Sequence, residues 1–292
     1  MAFKYSVILP VLALGGGDVW ERPREVLKMI ARAGYDGIDI DAEPDRIDQR
    51  RFREVTEMAG SLGLKVAGVL GAWGTWHAGE QRDLASSDES VRQYAVNYCK
   101  KCIDLSASLG GPVFQIMAVC FHHEYPFCST PLGTLRHNFV RSAKEIADYA
   151  APRQVPVAIE PINRFEGYAG FLNSVVDAMS IVDEVDVSCL GVMIDFFHAN
   201  IEDGSLSDVM RMAGNKLLHI HLADSNRQAP GTGHIDFLQV VRTLSAMEYK
   251  RYMALDCIPP RPDLETFLGY SISYMREMEK ALALQKRLYE SH

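Results

Sequence analysis

Eight times along this chain, a short run of β-branched and apolar residues is followed by a longer stretch with helical spacing. This alternation predicts a parallel sheet whose strands are joined by helical crossovers. Eight units with no spare element favour a closed barrel over an open doubly wound sheet. No Gly-x-Gly-x-x-Gly follows the first strand, so a dinucleotide-binding fold has no support. We therefore predict an α/β protein with one (β/α)8 (TIM) barrel domain over residues 1–292.

The apolar runs set the expected strand positions, and the amphipathic stretches set the helices. We predict strands at 5–14, 37–41, 64–71, 113–118, 155–162, 189–195, 217–224 and 252–257. We predict helices at 21–33, from after the second strand to about 62, and at 89–109, 132–150, 174–185, 206–213, 237–247 and 264–288.

Charge and composition exclude several classes of protein. The net charge of −8 and the absence of Lys/Arg runs argue against a nucleic-acid partner. No apolar stretch approaches the ~20 residues that span a bilayer, and the apolar run 7–14 is short for a signal peptide. Cys99 and Cys102 form a Cys-x-x-Cys inside a predicted helix, without the second pair that a zinc site needs. We expect a reduced, cytoplasmic protein with no membrane contact.

Four consecutive strands each place one polar side chain at or near their C-terminal end: Glu160, Asp195, His221 and Asp256. In a (β/α)8 barrel these ends meet at one mouth, where active sites lie. Three carboxylates and one imidazole suit a divalent ion of intermediate hardness, such as Mn²⁺, Mg²⁺ or Co²⁺. The pattern predicts one metal site at this mouth.

Further polar residues follow the same strands. Among them are Arg164, Glu166, His198, Asp224, Asn226 and Arg227, and a sugar needs many such directional partners for its hydroxyls. Arg227 with the Gly231–Gly233 loop would also suit a phosphate. His219 points to the same side of its strand as His221. It is either a second ligand or, as we prefer, a hydrogen-bonded residue deeper in the barrel.

The loop after the third strand carries Trp73 and Trp76. Aromatic rings of this kind can cover the apolar C–H face of a sugar, or they can pack at the rim of the barrel. The sequence leaves both interpretations open, and we place both residues among the candidate substrate-binding residues.

Three segments resemble the sugar-phosphate isomerase/epimerase superfamily of xylose-isomerase-like barrels, and most closely its D-tagatose/D-psicose 3-epimerase branch. The segments are IEPINRFEGY (159–168), GVMIDFFHANIEDGSL (191–206) and HIHLADSNRQAPGTGHIDF (219–237). The first half of the chain is similar only in its barrel pattern and in phrases such as AGYDGIDI (33–40).

The resemblance implies a role for each matching residue. It makes Glu160, Asp195 and His221 metal ligands, and it places Glu166, His198 and Arg227 at the oxygens of C1 and C2 of a ketose. The fourth ligand of the family is a Glu on the eighth strand, where this chain has Asp256. Asp is one methylene shorter, so its role as a base is in more doubt than its role as a ligand.

The activity implied by the resemblance is a C3 epimerisation through a cis-enediolate. Glu160 and Asp256 would be the two acid/bases, and the cofactor would be one divalent ion, with Mn²⁺ preferred. The partner would be a small sugar, and relatives suggest a homodimer or homotetramer. Three alternatives stay open: an aldose–ketose isomerase on the same site, a lyase, and a non-catalytic sugar-binding barrel. The acidic charge disfavours the AP-endonuclease branch.

Overall fold

Eight parallel strands close into a barrel in the order β1 to β8, with β1 paired to β8. The computed structural model describes residues 2–41, 43–45, 48–71, 82–118, 130–167, 170–258 and 260–290. The strands are β1 Lys4–Ile8, β2 Gly37–Asp41, β3 Lys65–Leu70, β4 Val113–Met117, β5 Val157–Glu160, β6 Leu190–Asp195, β7 Leu217–Leu222 and β8 Tyr252–Leu255. The predicted (β/α)8 barrel is confirmed.

Helices connect the strands and cover the outside of the sheet. They are α1 Leu9–Leu14, α2 Pro23–Ala33, α3 Gln49–Ser61, α4 Glu89–Ser108, α5 Leu132–Ala150, α6 Val175–Val185, α7 Phe196–Glu202, α8 Leu206–Ala213, α9 Phe237–Ala246 and α10 Leu264–Glu290. Each of the longer crossover helices buries one apolar stripe; in α2 it consists of Val26, Leu27 and Ile30. In the described part of the chain, no helix is long and apolar enough to cross a membrane.

The structure corrects the prediction at two places. The apolar run 5–14 is not one strand, because the strand ends at Ile8 and Leu9–Leu14 forms α1. Pro10 explains the break: it lacks the N–H that a sheet ladder needs, but it is tolerated in the first turn of a helix. The second correction is α7, which starts directly after β6. The Asp195 side chain accepts a hydrogen bond from Phe197 N at 2.8 Å and so caps this short helix.

The strand register brings the polar strand ends to one level. Asp195 on β6 pairs with His221 on β7, and Glu160 on β5 pairs with Met117 on β4. The backbone N–H of Asp256 continues the ladder past the end of β8 by donating to Leu222 O at 2.9 Å. The four residues predicted to form a site therefore face the same mouth of the barrel.

Candidate metal centre and active site

The four strand-end residues form one buried cluster. Glu160, Asp195, His221 and Asp256 each offer a ligand atom, and these atoms all lie within 4.8 Å of one another. His221 Nδ1 lies 3.3 Å from Glu160 Oε1 and 3.6 Å from Asp256 Oδ2. The shorter side chain of Asp256 thus reaches the cluster, despite its missing methylene.

Several atoms of this cluster have no partner within the described part of the chain. Asp195 Oδ2, Asp256 Oδ1 and both ring nitrogens of His221 are buried without a hydrogen bond. Buried polar atoms without partners are costly, by roughly 1–3 kcal/mol each. Carboxylate oxygens and an imidazole nitrogen are also the donor set that divalent ions of intermediate hardness accept. The residues present therefore fit a divalent metal ion.

The charges of the cluster are unbalanced without a cation. Burial raises the pKa of Asp195 well above its usual range, and the negative charge of Asp256 adds to the effect. Burial acts in the same direction on Asp256, but the neighbouring His221 imidazole and the charge of Arg227 outweigh it and hold the pKa of Asp256 low. A set of carboxylates that repel one another in a buried site is an environment that a cation stabilises.

Arg227 connects the cluster to the loop after β5. Its Nη1 donates to Glu166 Oε2 at 2.6 Å, and its Nη2 lies 3.6 Å from Asp256 Oδ2. The guanidinium also lies over the ring of Phe197, 4.9 Å from the ring centroid. The structure therefore places two of the sequence-predicted substrate residues, Arg227 and Glu166, side by side at the rim of the cluster.

His198, the third residue of α7, lies next to Asp195. Its Nε2 is 3.6 Å from Asp195 Oδ2, and its side chain is buried. Burial and, to a smaller extent, the positive charge of Arg227 together lower the pKa of His198 to about 3. The imidazole is therefore neutral near pH 7, with one N–H donor and one acceptor nitrogen.

Asp39, a buried carboxylate that the sequence analysis did not single out, contacts His219 beside the cluster. His219 Nε2 is 2.7 Å from Asp39 Oδ2 on β2, and Ser6 Oγ and Gln115 Nε2 donate to the same carboxylate. Gly68 on β3 leaves room for the Asp39 carboxylate, since a Cβ at position 68 would lie 2.1 Å from Asp39 Oδ2. His219 thus directly contacts a carboxylate outside the four-residue cluster.

The loop that carries Arg227 is organised around a buried carboxylate. Asp224 accepts hydrogen bonds from the backbone N–H groups of Ser225 at 2.7 Å, Gly231 at 2.8 Å and Ile235 at 3.2 Å. Its own carbonyl accepts from Arg227 N at 2.8 Å, and Arg227 adopts a left-handed backbone conformation with φ of 59°. The position of the guanidinium therefore depends on a preformed loop.

The predicted aromatic residues Trp73 and Trp76 lie outside the described residues. Asn163, in contrast, was absent from the predicted site and is buried next to His198. The signal that could have indicated it is its position three residues after Glu160, at the start of the turn that leads to Glu166.

A closed eight-stranded barrel with a buried carboxylate–histidine cluster at its mouth defines a TIM-barrel protein with a candidate divalent-metal site. The chain belongs to the family of xylose isomerase-like TIM barrels, whose profile matches residues 27–278. The predicted resemblance to this family is confirmed.

Characterised relatives carry the names of sugar epimerases. The chain is 36% identical over 236 residues to a D-psicose 3-epimerase of Enterocloster bolteae, which covers 78% of this chain and 74% of that protein. It is 27% identical over 233 residues to an L-ribulose 3-epimerase of Methylomonas sp., which covers 78% of this chain and 75% of the relative.

A solved structure shares the whole fold. The 3-keto-D-glucoside 4-epimerase of E. coli superimposes with a TM-score of 0.79 at 23% identity, covering 94% of this chain and 100% of the other. This likeness supports the barrel architecture.

Proposed function

We propose that this protein is a metal-dependent epimerase that inverts C3 of a ketose or a related small sugar. The observation that carries the proposal is the single buried cluster of Glu160, Asp195, His221 and Asp256, with the neutral His198 and the cation Arg227 at its edge. The names of the relatives, which are ketose 3-epimerases, support the same reaction.

The metal would be held by the four residues of the cluster. Their three carboxylates and one imidazole suit Mn²⁺, with Mg²⁺ and Co²⁺ as alternatives. When bound, the ion would polarise the substrate carbonyl and acidify the C–H next to it.

The side chains of the cluster would carry out the proton transfers. Glu160 and Asp256 come from strands three apart, so their carboxylates approach the mouth from different sides. One carboxylate takes the proton from C3 on one face of the sugar, which leaves an enediolate, and the other returns a proton to the opposite face. The His198 N–H and the Arg227 guanidinium stabilise the negative charge that develops on the oxygen at C2.

The loop after β7 favours an unphosphorylated sugar. Its backbone N–H groups, including that of Gly231, already donate to the Asp224 carboxylate, so an internal anion occupies the place that a phosphate would need. The Arg227 guanidinium already forms ion pairs with Glu166 and Asp256. The segments 72–81 and 119–129, which follow β3 and β4 in the sequence, contain no Lys or Arg. We therefore propose a free sugar as the substrate.

The decisive experiment is turnover of a panel of free ketoses and their phosphates in deuterated water, with product analysis by NMR. We expect a C3 epimer with one deuterium at the inverted carbon, loss of activity after EDTA treatment, and recovery with Mn²⁺. An aldose product would favour the isomerase alternative. Sugar binding without any turnover would favour the non-catalytic barrel. Faster turnover of the phosphates would contradict the free-sugar assignment.

Replacing Arg227 with Ala is expected to reduce kcat/KM about 10- to 100-fold, because a charged hydrogen bond to the substrate is lost. Metal content should not change, since Arg227 is outside the proposed ligand set. Steady-state kinetics and elemental analysis measure the two quantities. Arg164→Ala is the control, since it removes an exposed Arg that pairs with Glu202 at the end of α7. A fully active Arg227→Ala variant would show that Arg227 does not contact the substrate.

We also propose that the chain is one barrel domain that acts in the cytoplasm as a homodimer or homotetramer. Among the described residues, Cys99 and Cys257 are free and buried, as suits a reduced compartment. Sedimentation analysis of the purified protein measures the oligomeric state.

A further inference from the structure

Asn163 lies between two elements of the proposed site. It follows β5 by three residues, and its side chain is buried. Its Nδ2 lies 2.7 Å from Nδ1 of His198 on α7. Its backbone carbonyl accepts hydrogen bonds from the N–H groups of Glu166 at 3.0 Å and Gly167 at 2.9 Å. One residue thus contacts the imidazole and forms the turn that presents Glu166 to Arg227.

The hydrogen bonds of Asn163 determine which way its amide points. Asn163 Oδ1 accepts from the backbone N–H of Phe165 at 3.0 Å, a bond that the NH₂ group could not accept. The amide nitrogen therefore faces His198, and an amide nitrogen only donates. His198 Nδ1 must be the acceptor, so the single proton of the neutral imidazole is on Nε2.

The protonated nitrogen faces the proposed metal cluster. His198 Nε2 is 3.6 Å from Asp195 Oδ2, at the edge of the space where the sugar oxygens would lie. An N–H group at this position stabilises a developing oxyanion. The other tautomer would instead direct a lone pair at the same oxygen and repel it.

We propose that Asn163 is a positioning residue that fixes the tautomer of His198, so that Nε2–H is the hydrogen-bond donor to the substrate oxygen at C2. The inference rests on the proposed function, since it assigns His198 a donor role in that reaction. Asn163 itself touches no reacting atom.

The test uses Asn163→Leu, which keeps a similar volume and removes the side-chain donor at 2.7 Å, leaving only the long 3.5 Å contact from the backbone N–H of residue 163. We expect the ¹⁵N NMR spectrum of the Mg²⁺-loaded wild type to show the Nε2–H tautomer of His198, assigned by comparison with His198→Gln. In Asn163→Leu the Nδ1–H tautomer should become populated. With the sugar, kcat should fall about 10- to 100-fold, the range for a lost hydrogen bond to a charged group, while the affinity for Mn²⁺ stays within the error of a titration.

Asn173→Leu is the matched control. Asn173 is a buried Asn in the same connection, and its Nδ2 donates to Ile162 O at 2.8 Å. We expect the loss of this hydrogen bond in Asn173→Leu to reduce the melting temperature but to leave the His198 tautomer unchanged. If Asn163→Leu does not fold, Asn163→Asp is the second variant, because a carboxylate at this position accepts a hydrogen bond from Nδ1–H and so favours the Nδ1–H tautomer.

Three results would overturn the inference: a wild-type His198 protonated on Nδ1, an unchanged tautomer in Asn163→Leu, or an unprotonated Nδ1 in Asn163→Asp. Failure of the proposed function is a separate outcome. A wild type that turns over no sugar would refute the epimerase, whereas the NMR spectrum would still report the tautomer.

Discussion

Replacing Glu160 with Gln is expected to lower kcat by about 1000-fold, within the range that a general acid/base contributes. Gln has nearly the same shape and keeps one oxygen that can contact a metal, but its amide cannot accept the proton from C3. The variant should stay folded because the position is a strand end in an otherwise intact barrel. Kinetics with the sugar, the melting temperature and bound metal per chain are the measurements.

The control for this substitution is Glu202→Gln. Glu202 has a buried side chain at the end of α7 and pairs with the exposed Arg164. We expect the Glu202→Gln variant to keep its activity within about twofold of the wild type, since Glu202 is outside the proposed ligand and acid/base set. If Glu160→Gln kept more than a tenth of the wild-type kcat with normal metal content, Glu160 would not be the base.

The site was predictable because parallel strands in a closed barrel all end at the same mouth. Once Glu160, Asp195, His221 and Asp256 were placed at the ends of four consecutive strands, their proximity followed from topology alone. Predicting that these residues lie close together required no knowledge of side-chain conformation, since one polar residue at the end of each strand was enough.

The residues that sequence reasoning missed depend on contacts between distant parts of the chain. Asp39 is buried because His219 and Gln115, from β7 and β4, supply its partners and Gly68 leaves room for it. The residue pattern along one strand does not indicate hydrogen-bond partners that come from other strands. The role of Asn163 likewise depends on His198, 35 positions away in the sequence.

The bounds of β1 were missed for a local reason. An apolar run is compatible with a buried strand and with a buried helix turn, and periodicity over a few residues does not separate them. Pro10 was visible in the sequence, but it was read as part of the strand and its loop, whereas the structure places it in the first turn of α1.

Asp256 occupies the position at the end of the eighth strand where the resemblance implies a Glu. Asp256 Oδ2 lies 3.6 Å from His221 Nδ1 and 3.6 Å from Arg227 Nη2, so the shorter carboxylate lies within the cluster. We expect Asp256→Asn to lower the rate of epimerisation by about 1000-fold. Asp256→Glu, which is longer by about 1.5 Å, should keep at least a tenth of the activity if the pocket accepts one methylene.

Deuterium exchange separates the two carboxylates in the Asp256→Asn variant. Glu160 is intact there, so it can still remove and return the C3 proton on its own face of the sugar. The epimer whose C3–H faces Glu160 should therefore take up deuterium from solvent without inversion, and the other epimer should take up none. NMR of the recovered sugars measures both. Inversion at the wild-type rate would remove Asp256 from the chemistry, whereas an aldose product formed with Glu160 as the sole base would favour the isomerase alternative.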